Sequence, residues 1–374
     1  MKKILFWSPF LTQIATIKSV LNSASILKKE NKELDVYIIN CVGEWDRYKD
    51  KILSNNLKII SLINFNLHKY LPKKGYFYSR LSLIIISAVS ILPLIFFLIK
   101  KKPDILISHL NTMITMFLSN FFRIKFIIRI SGYHKLHFLR SFLWRILSKK
   151  IYAIICPTYL TKNLLSEKKI FKEEKIFMVE DPIFDINEIA IKENNQSKNI
   201  IAIGRLTKQK NFSFLIKSFN IIEKKYPNKY KLNILGEGEE RNNLSQLVND
   251  LSLNDKVNLL GYRPNIKEYF DNSFCFILSS LWEDPGFVLI ESAINKTFIL
   301  SSDCPNGPRE FLDGNKGGLL FRSNDSEDLV NKFELMLKLD QEIKNKMLEY
   351  SVKKAKAYSF QEHYKKLDPI INKI

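Results

Sequence analysis

Cysteine is sparse in this chain: four thiols, Cys41, Cys156, Cys275 and Cys304, are widely spaced among 374 residues. There is no C-x-x-C pair and no nearby histidine to complete a zinc set, which argues against a disulfide framework or a structural zinc. A reduced, cytoplasmic compartment with buried structural thiols is the expectation. Glycine and proline number only 12 each, against linkers and low complexity, and no internal repeat is found. The 5 histidines are too few and scattered to suggest a metal centre. No D-x-D string, P-loop lysine motif or G-x-S-x-G elbow occurs. The opening M-K-K-I-L-F-W has too short an apolar stretch for a signal peptide and reads as a first strand, Ile4 to Trp7.

Acidic residues are missing from one long region. Between residues 51 and 166 the only acid is Asp104, against 18 Lys and Arg. Residues 1–180 hold 30 basic and 11 acidic side chains, leaving 28 and 27 for the rest, so almost all of the net +20 lies in the first half. Such a field faces something negative, either nucleic acid or anionic lipid. The apolar content favours lipid. Leu81 to Ile99 is uncharged over 19 residues and runs directly into Lys100, Lys101 and Lys102. That run approaches bilayer-spanning length, yet Pro93 interrupts it and strand-like segments follow. A helix dipping into the inner leaflet with its lysines at lipid phosphates, a buried domain helix and a true span all remain open. Phe138, Phe142 and Trp144, interleaved with Arg140 and Arg145, extend the membrane-facing pattern.

Short apolar runs bounded by turn residues recur along the chain, the mark of parallel strands with crossover helices. In the first half they fall at Ile4 to Trp7, Asp35 to Asn40, Lys58 to Leu62, Pro103 to His109, Phe126 to Gly132 and Ala153 to Thr158. A polar, Asn-rich stretch over 181–197 suggests a boundary between domains spanning 1–190 and 191–357. The second half repeats the plan at Asn199 to Ile203, Lys231 to Leu235, Val257 to Leu260, Phe274 to Leu278 and Phe298 to Ser301. A helical run from Gln341 to Leu367 is long enough for residues 358–374 to pack back on the first domain. Two doubly wound α/β domains facing a central cleft are the expected fold class.

Four segments at predicted strand ends could carry chemistry. I-A-I-G-R-L-T-K-Q-K-N places Gly204, Arg205 and Lys210 where two cations can neutralise a diphosphate. L-G-E-G-E-E-R, with Gly236, Glu237 and Gly238, lacks the third glycine of a dinucleotide fingerprint, since Arg241 stands there; it reads as a turn admitting a base or ribose, or as a plain turn. S-S-L-W-E-D-P-G-F-V-L-I-E-S sets Glu283 and Glu291 on either side of a helix start. Asp284 has the chemistry of an N-cap, Pro285 suits the first helical position, and Gly286 lets a ligand reach the backbone. Carboxylate, amide cradle, carboxylate suits a sugar phosphate, with Glu283 in the mouth of the site; the spacing equally fits two solvated glutamates around an ordinary helix. In D-C-P-N-G-P-R-E, Gly307 sits in a rigid turn and Glu310 in the first turn of the next helix.

Taken together, G-R-L-x-x-x-K-N, G-E-G, E-D-P-G-F-x-x-x-x-E and D-C-P-N-G-P-R-E resemble the retaining GT-B glycosyltransferases of family four. The resemblance is strong over residues 199–340 and looser before. It implies metal-independent transfer from a nucleotide sugar, UDP- or GDP-linked, with no further cofactor. It also implies that Arg205 and Lys210 hold the diphosphate, Glu291 the ribose and Glu283 the donor sugar, with the N–H groups of Phe287 and Val288 on phosphate. The W-E-D-P-G and C-P-N-G-P-R-E variants look like bacterial members that build lipid-linked or surface polysaccharides. A hexosyl or N-acetylhexosaminyl transferase, peripheral on the inner face of the cell membrane and using a lipid-linked or polysaccharide acceptor, is the resulting expectation, with no nucleic-acid partner.

The chain departs from the family's pattern on the other side. The usual glycine pair after the first strand is absent, and Arg129-Ile130-Ser131-Gly132 stands where many members carry a histidine. His109, Ser131, Gly132 and His134 are the acceptor-side candidates, being next to strand ends. A nucleotide-sugar epimerase of similar architecture and a non-catalytic basic membrane or nucleic-acid binding protein are the rival readings.

Overall fold

The structure is a computed structural model describing residues 1–12, 15–73, 76–110, 112–130, 138–190 and 197–372. The chain divides into two compact units, Met1–Phe184 with Tyr358–Ile374, and Asp185–Ala357. The division falls after Phe184 and not after 190. Phe184 is buried and bridges Ser359, which ties it to the first unit, whereas the Ala190 amide donates to the Ile294 carbonyl in the second.

The first unit is built on seven parallel strands: β1 (Lys3–Trp7), β2 (Asp35–Asn40), β3 (Lys58–Ser61), β4 (Ile105–Ser108), β5 (Lys125–Arg129), β6 (Ala153–Cys156) and β7 (Ile176–Met178), in the order β3-β2-β1-β4-β5-β6-β7. The inner strands are buried almost throughout because helices cover both faces, so they read as unbroken apolar runs. Helix Ala15–Glu30 covers one face through Ile17, Val20, Leu21, Ala24 and Leu27, an i, i+3, i+4 stripe. The C-terminal helix Phe360–Asn372 packs beside it, with Leu367, Ile370 and Ile371 in the same core.

The apolar run of the sequence forms the helix Tyr76–Lys101, on the opposite face. Ser82, Ile86, Ser90, Leu94 and Leu98 recur every four residues and are buried. Ile86, Leu94 and Leu98 share a core with Leu5, Trp7 and Leu106 of the sheet. The hydroxyls of Ser87 and Ser90 bond back to the carbonyls of Leu83 and Ile86, which satisfies them within an apolar stripe. The other face is apolar and bare: Phe77, Ile84, Leu92 and Phe96 are each more than 60% exposed. Segment Phe77–Lys101 is long and apolar enough to cross a membrane, yet one stripe of it is part of the domain core.

The second unit carries six parallel strands: β8 (Asn199–Ile203), β9 (Lys231–Leu235), β10 (Val257–Gly261), β11 (Cys275–Leu278), β12 (Phe298–Ser302) and β13 (Leu319–Phe321), ordered β10-β9-β8-β11-β12-β13. Helix Phe212–Lys225 buries Phe212, Leu215, Ile216, Phe219 and Ile222 against them, each side chain contributing about 2 kcal/mol of burial. Short strands β7 and β13 have no counterpart among the sequence expectations; three residues give too little pattern to read. The expected helix Gln341 to Leu367 is two helices, Gln341–Ala355 and Phe360–Asn372. The break comes where Ser359 pairs with Phe184 and the Tyr358 carbonyl accepts from Ile183.

Candidate functional site

In the second sheet the strand order reverses between β8 and β11, and open α/β sheets bind ligands at the carboxyl ends of strands beside such a switch. The four sequence motifs follow β9, β8, β11 and β12, which are consecutive neighbours in space. Topology thus brings together on one edge residues that lie up to a hundred positions apart in the chain.

Backbone packing fixes the first two motifs against each other. The Gly204 amide donates to Leu235, Leu206 donates to Glu237, and Glu240 donates back to Leu206. Gly236 lies so close that a Cβ there would collide with the Gly204 carbonyl oxygen, and its φ of 142° is strained for any other residue. The Lys208–Lys210 turn then carries Lys210 back over Gly204, whose Cα side the lysine stem covers.

Lys210 meets Glu283 here, Nζ to Oε1 at 2.5 Å, with side chains only 13% and 5% exposed. Ser280 donates to the same oxygen at 2.5 Å. Glu283 is therefore a buried carboxylate inside an ion pair, and not a residue at a mouth as the sequence suggested. Its loop is pinned from both sides. Leu281 donates to the Gln209 carbonyl at 2.8 Å, the Gln209 amide donates to the Trp282 carbonyl at 2.8 Å, and Glu283 donates to Pro305. A buried pair so held needs every partner, because removing one leaves a desolvated charge behind. Cys304 lies beside it, and burial, reinforced by the Glu283 carboxylate, pushes its thiol up to about 12.

The helix start differs from the expectation. Helix Phe287–Ile294 has Gly286 as its N-cap, at φ 92°, with no side-chain cap, and Pro285 stands outside the helix. Asp284 instead accepts from the Asn306 amide at 2.9 Å, joining the third motif to the fourth. Gly307 completes that junction: a Cβ would strike the Pro285 carbonyl. The N–H groups of Phe287 and Val288, in the first turn, have no intrahelical acceptor. Glu291 is half-buried on the same helix, and its carbonyl accepts from the Asn295 side chain. Glu310 sits in the first turn of Pro308–Leu312, as read from the sequence.

Not every candidate converges. Arg205 is exposed, outside the Lys210–Glu283 contact. Glu237 turns outward to an exposed pair with Arg241 at 2.9 Å, leaving Gly238 and its carbonyl neighbours to shape the turn. Sequence reading missed Ser280, Gln209 and Thr207, whose buried hydroxyl has no partner among the described residues. Small polar residues flanking a strand end carry no pattern of their own, and only the fold aims them.

In the first unit, His109 is buried, its Nδ1 without a hydrogen-bond partner among the described residues. Burial, with the Arg129 charge next, holds it well below its ordinary value, so the ring is neutral near pH 7. Arg129 pairs with Asp181, which also accepts from Ser19, while Nε and Nη1 of Arg129 have no partner among the described residues. Ser131, Gly132 and His134 lie outside the described residues.

Comparison with known proteins now decides the family. The model for "Glycosyl transferases group 1" matches residues 184–355, which contain all four motifs. That segment belongs to the group 1 glycosyl transferases. An uncharacterized glycosyltransferase of Methanocaldococcus jannaschii is 47% identical over 112 residues, covering 30% of this chain and 27% of the relative. Another from Haemophilus influenzae is 29% identical over 212 residues, covering 55% and 58%, so the chain spans less than two thirds of either. A Campylobacter jejuni α-1,4-N-acetyl-D-galactosaminyltransferase, named for a glycan on diNAcBac-PP-undecaprenol, is 27% identical over 346 residues, covering 90% and 89%. Among solved structures, a Rickettsia africae glycosyltransferase aligns with a TM-score of 0.79 at 15% identity over 100% of this chain and 99% of its own. Anabaena HepE in complex with UDP gives 0.77 at 13% identity, covering 100% of both. At such identities the likeness concerns fold, and it makes the chain's two Rossmann-like units those of the GT-B class.

Proposed function

We propose that this group 1 glycosyltransferase moves a hexosyl or N-acetylhexosaminyl group from a UDP- or GDP-sugar to a lipid-linked or polysaccharide acceptor, with retention and without a metal. The observation that carries the reading is the buried Lys210–Glu283 pair at the carboxyl ends of β8 and β11. Lys210 has two further N–H donors for the leaving diphosphate, joined by Arg205 and by the amides of Phe287 and Val288. The Lys210 and Ser280 bonds both fall on Oε1 of Glu283, and in this reading Oε2 takes the donor sugar's hydroxyls. Glu291 takes the ribose. Gly204, Gly236, Gly238, Gly286 and Gly307 keep the backbone low around the nucleotide. The acceptor oxygen attacks the anomeric carbon as its bond to the diphosphate breaks; the electron pair stays on the nucleoside diphosphate, and the acceptor proton passes to the leaving phosphate.

The acceptor assignment draws on the Campylobacter relative's named lipid-linked glycan and on the first unit's chemistry. Residues 1–180 carry the positive surplus, and Tyr76–Lys101 presents an exposed apolar face ending in Lys100–Lys102, which suits a peripheral position on an anionic inner leaflet. Labelled sugar nucleotides incubated with the protein and native membranes test the proposal. Label should enter a lipid extractable into organic solvent; interconversion of free sugar nucleotides would make it an epimerase, and salt-sensitive binding alone a non-catalytic protein.

A further inference from the structure

A cavity lies within the first unit, at the carboxyl edge of its sheet. The register Ser108↔Ile128 between β4 and β5 sets the next residues, His109 and Arg129, side by side at the carboxyl edge of the sheet. Both line a cavity of 420 Å³ with Leu83, Ile84, Met113 and Trp144 as apolar walls and Arg140 at its rim. Arg129 is 4% exposed and His109 5%, and Nε and Nη1 of the arginine and Nδ1 of the histidine have no hydrogen-bond partner among the described residues. Buried polar atoms left unsatisfied next to a cavity, two of them arginine N–H donors, mark a place completed by a ligand. Asp181 neutralises Arg129, so Arg140, exposed and lying over the Trp144 ring at 5.3 Å, supplies the uncompensated positive charge. The walls continue outward through Ile84, 64% exposed, onto the bare apolar face of Tyr76–Lys101.

An anion fits at the arginines, and an aliphatic chain fits the walls and the face beyond. We infer that this cavity holds the phosphate-bearing head of the acceptor, with its hydrocarbon chain leaving past Ile84. The inference rests on the lipid-linked acceptor proposed above and gives it a binding site, with Arg129 and Arg140 on phosphate and Leu83, Ile84 and Met113 on the first carbons of the chain.

The probe is decyl phosphate below its micellar concentration, titrated calorimetrically into the full chain, with inorganic phosphate and 1-decanol as controls. Decyl phosphate should bind one to one and at least tenfold more tightly than either control. Arg140→Gln should weaken decyl phosphate about fivefold or more while leaving decanol unchanged. Ser87→Leu and, on a different helix, Met113→Trp should each fill the cavity and abolish binding. Far-UV circular dichroism and an unchanged thermal transition of the first unit certify that each variant is folded, and UDP and GDP binding measured on the same samples reports the second unit independently. Equal affinity for inorganic phosphate, equal affinity for decanol, or decyl phosphate binding unmoved by both cavity-filling variants overturns the assignment. Absence of binding by the wild-type chain to both UDP and GDP overturns the sugar-transfer reading instead, so the two failures are distinct.

Discussion

The two units share an architecture and differ in nearly everything laid over it. Each is a parallel sheet whose strand order reverses once, and each gathers its polar residues at the carboxyl edge beside the reversal. In the second unit that edge is finished: Lys210 and Ser280 both donate to Glu283, Gln209 pins the Glu283 loop through Leu281 and Trp282, and glycines let loops touch backbone to backbone. In the first unit, polar atoms of His109 and Arg129 without partners among the described residues line a cavity, and a helix leaves an apolar face bare. The comparison teaches that one scaffold can carry a preorganised polar site or an open amphiphilic one, depending on which side chains end its strands.

The largest effect expected from breaking that contrast is at the buried pair. Lys210→Ala should lower sugar transfer by roughly 100-fold or more, as lost stabilisation of leaving-group charge does, and should destabilise the second unit by about 3 kcal/mol by stranding Glu283. Glu291→Ala should abolish comparable activity with the melting transition unchanged. Wild-type turnover by either variant, measured with labelled donor, would remove the residue from the site. Next in size, Gly236→Ala should cost the second unit about 2 kcal/mol or more, from positive φ and collision with Gly204. Chemical denaturation monitored by UDP binding reads this out, and an unshifted midpoint would show that the loops are not packed as described.

The same contrast appears in acid. The described histidines, His68, His109 and His363, all belong to the first unit. His363 donates from Nδ1 to the Glu180 carbonyl at 2.7 Å and accepts from Ser23 at 2.8 Å, and burial brings it down to about 4. A histidine lowered in the folded state binds fewer protons than in the unfolded chain, so its stabilisation is complete above the unfolded value near 6.5 and is lost as pH falls towards 4. The first unit should lose up to about 1.4 kcal/mol per pH unit across that window for this group, with His109 adding in the same direction. His363→Gln should flatten the dependence; an unchanged pH profile of thermal unfolding would exclude His363 as its source. The smallest test concerns the surface. Replacing Lys100–Lys102 by Ser should weaken binding to anionic vesicles on the order of 100-fold at low salt, at about 1 kcal/mol per lysine. Binding unchanged in sedimentation would separate the basic end of this helix from any membrane contact.

Much of this was legible in sequence because parallel strands buried on both faces read as apolar runs, and because each motif directly follows one. Lys210 and Glu283 could be picked out singly by position. Their pairing could not, since it joins residues 73 positions apart through the adjacency of β8 and β11. Asp284 and Pro285 misled as a helix cap for a local reason: they have the right chemistry, but Asn306 claims the aspartate and Gly286 takes the capping position. Likewise, helical periodicity past Tyr358 said nothing of the strand-like bridge to Phe184 that divides the run.

Composition and pattern by themselves determined two α/β domains, a basic first half beside a balanced second, and a set of cations and carboxylates at strand ends. Those follow from local periodicity and charge, which need no knowledge of neighbours. Tertiary structure alone decided that Glu283 is buried and paired, that Tyr76–Lys101 sinks one stripe into a core while baring another, and that Arg129 and His109 stand together at a cavity. These depend on strand order and register, which set distances between residues far apart in the chain.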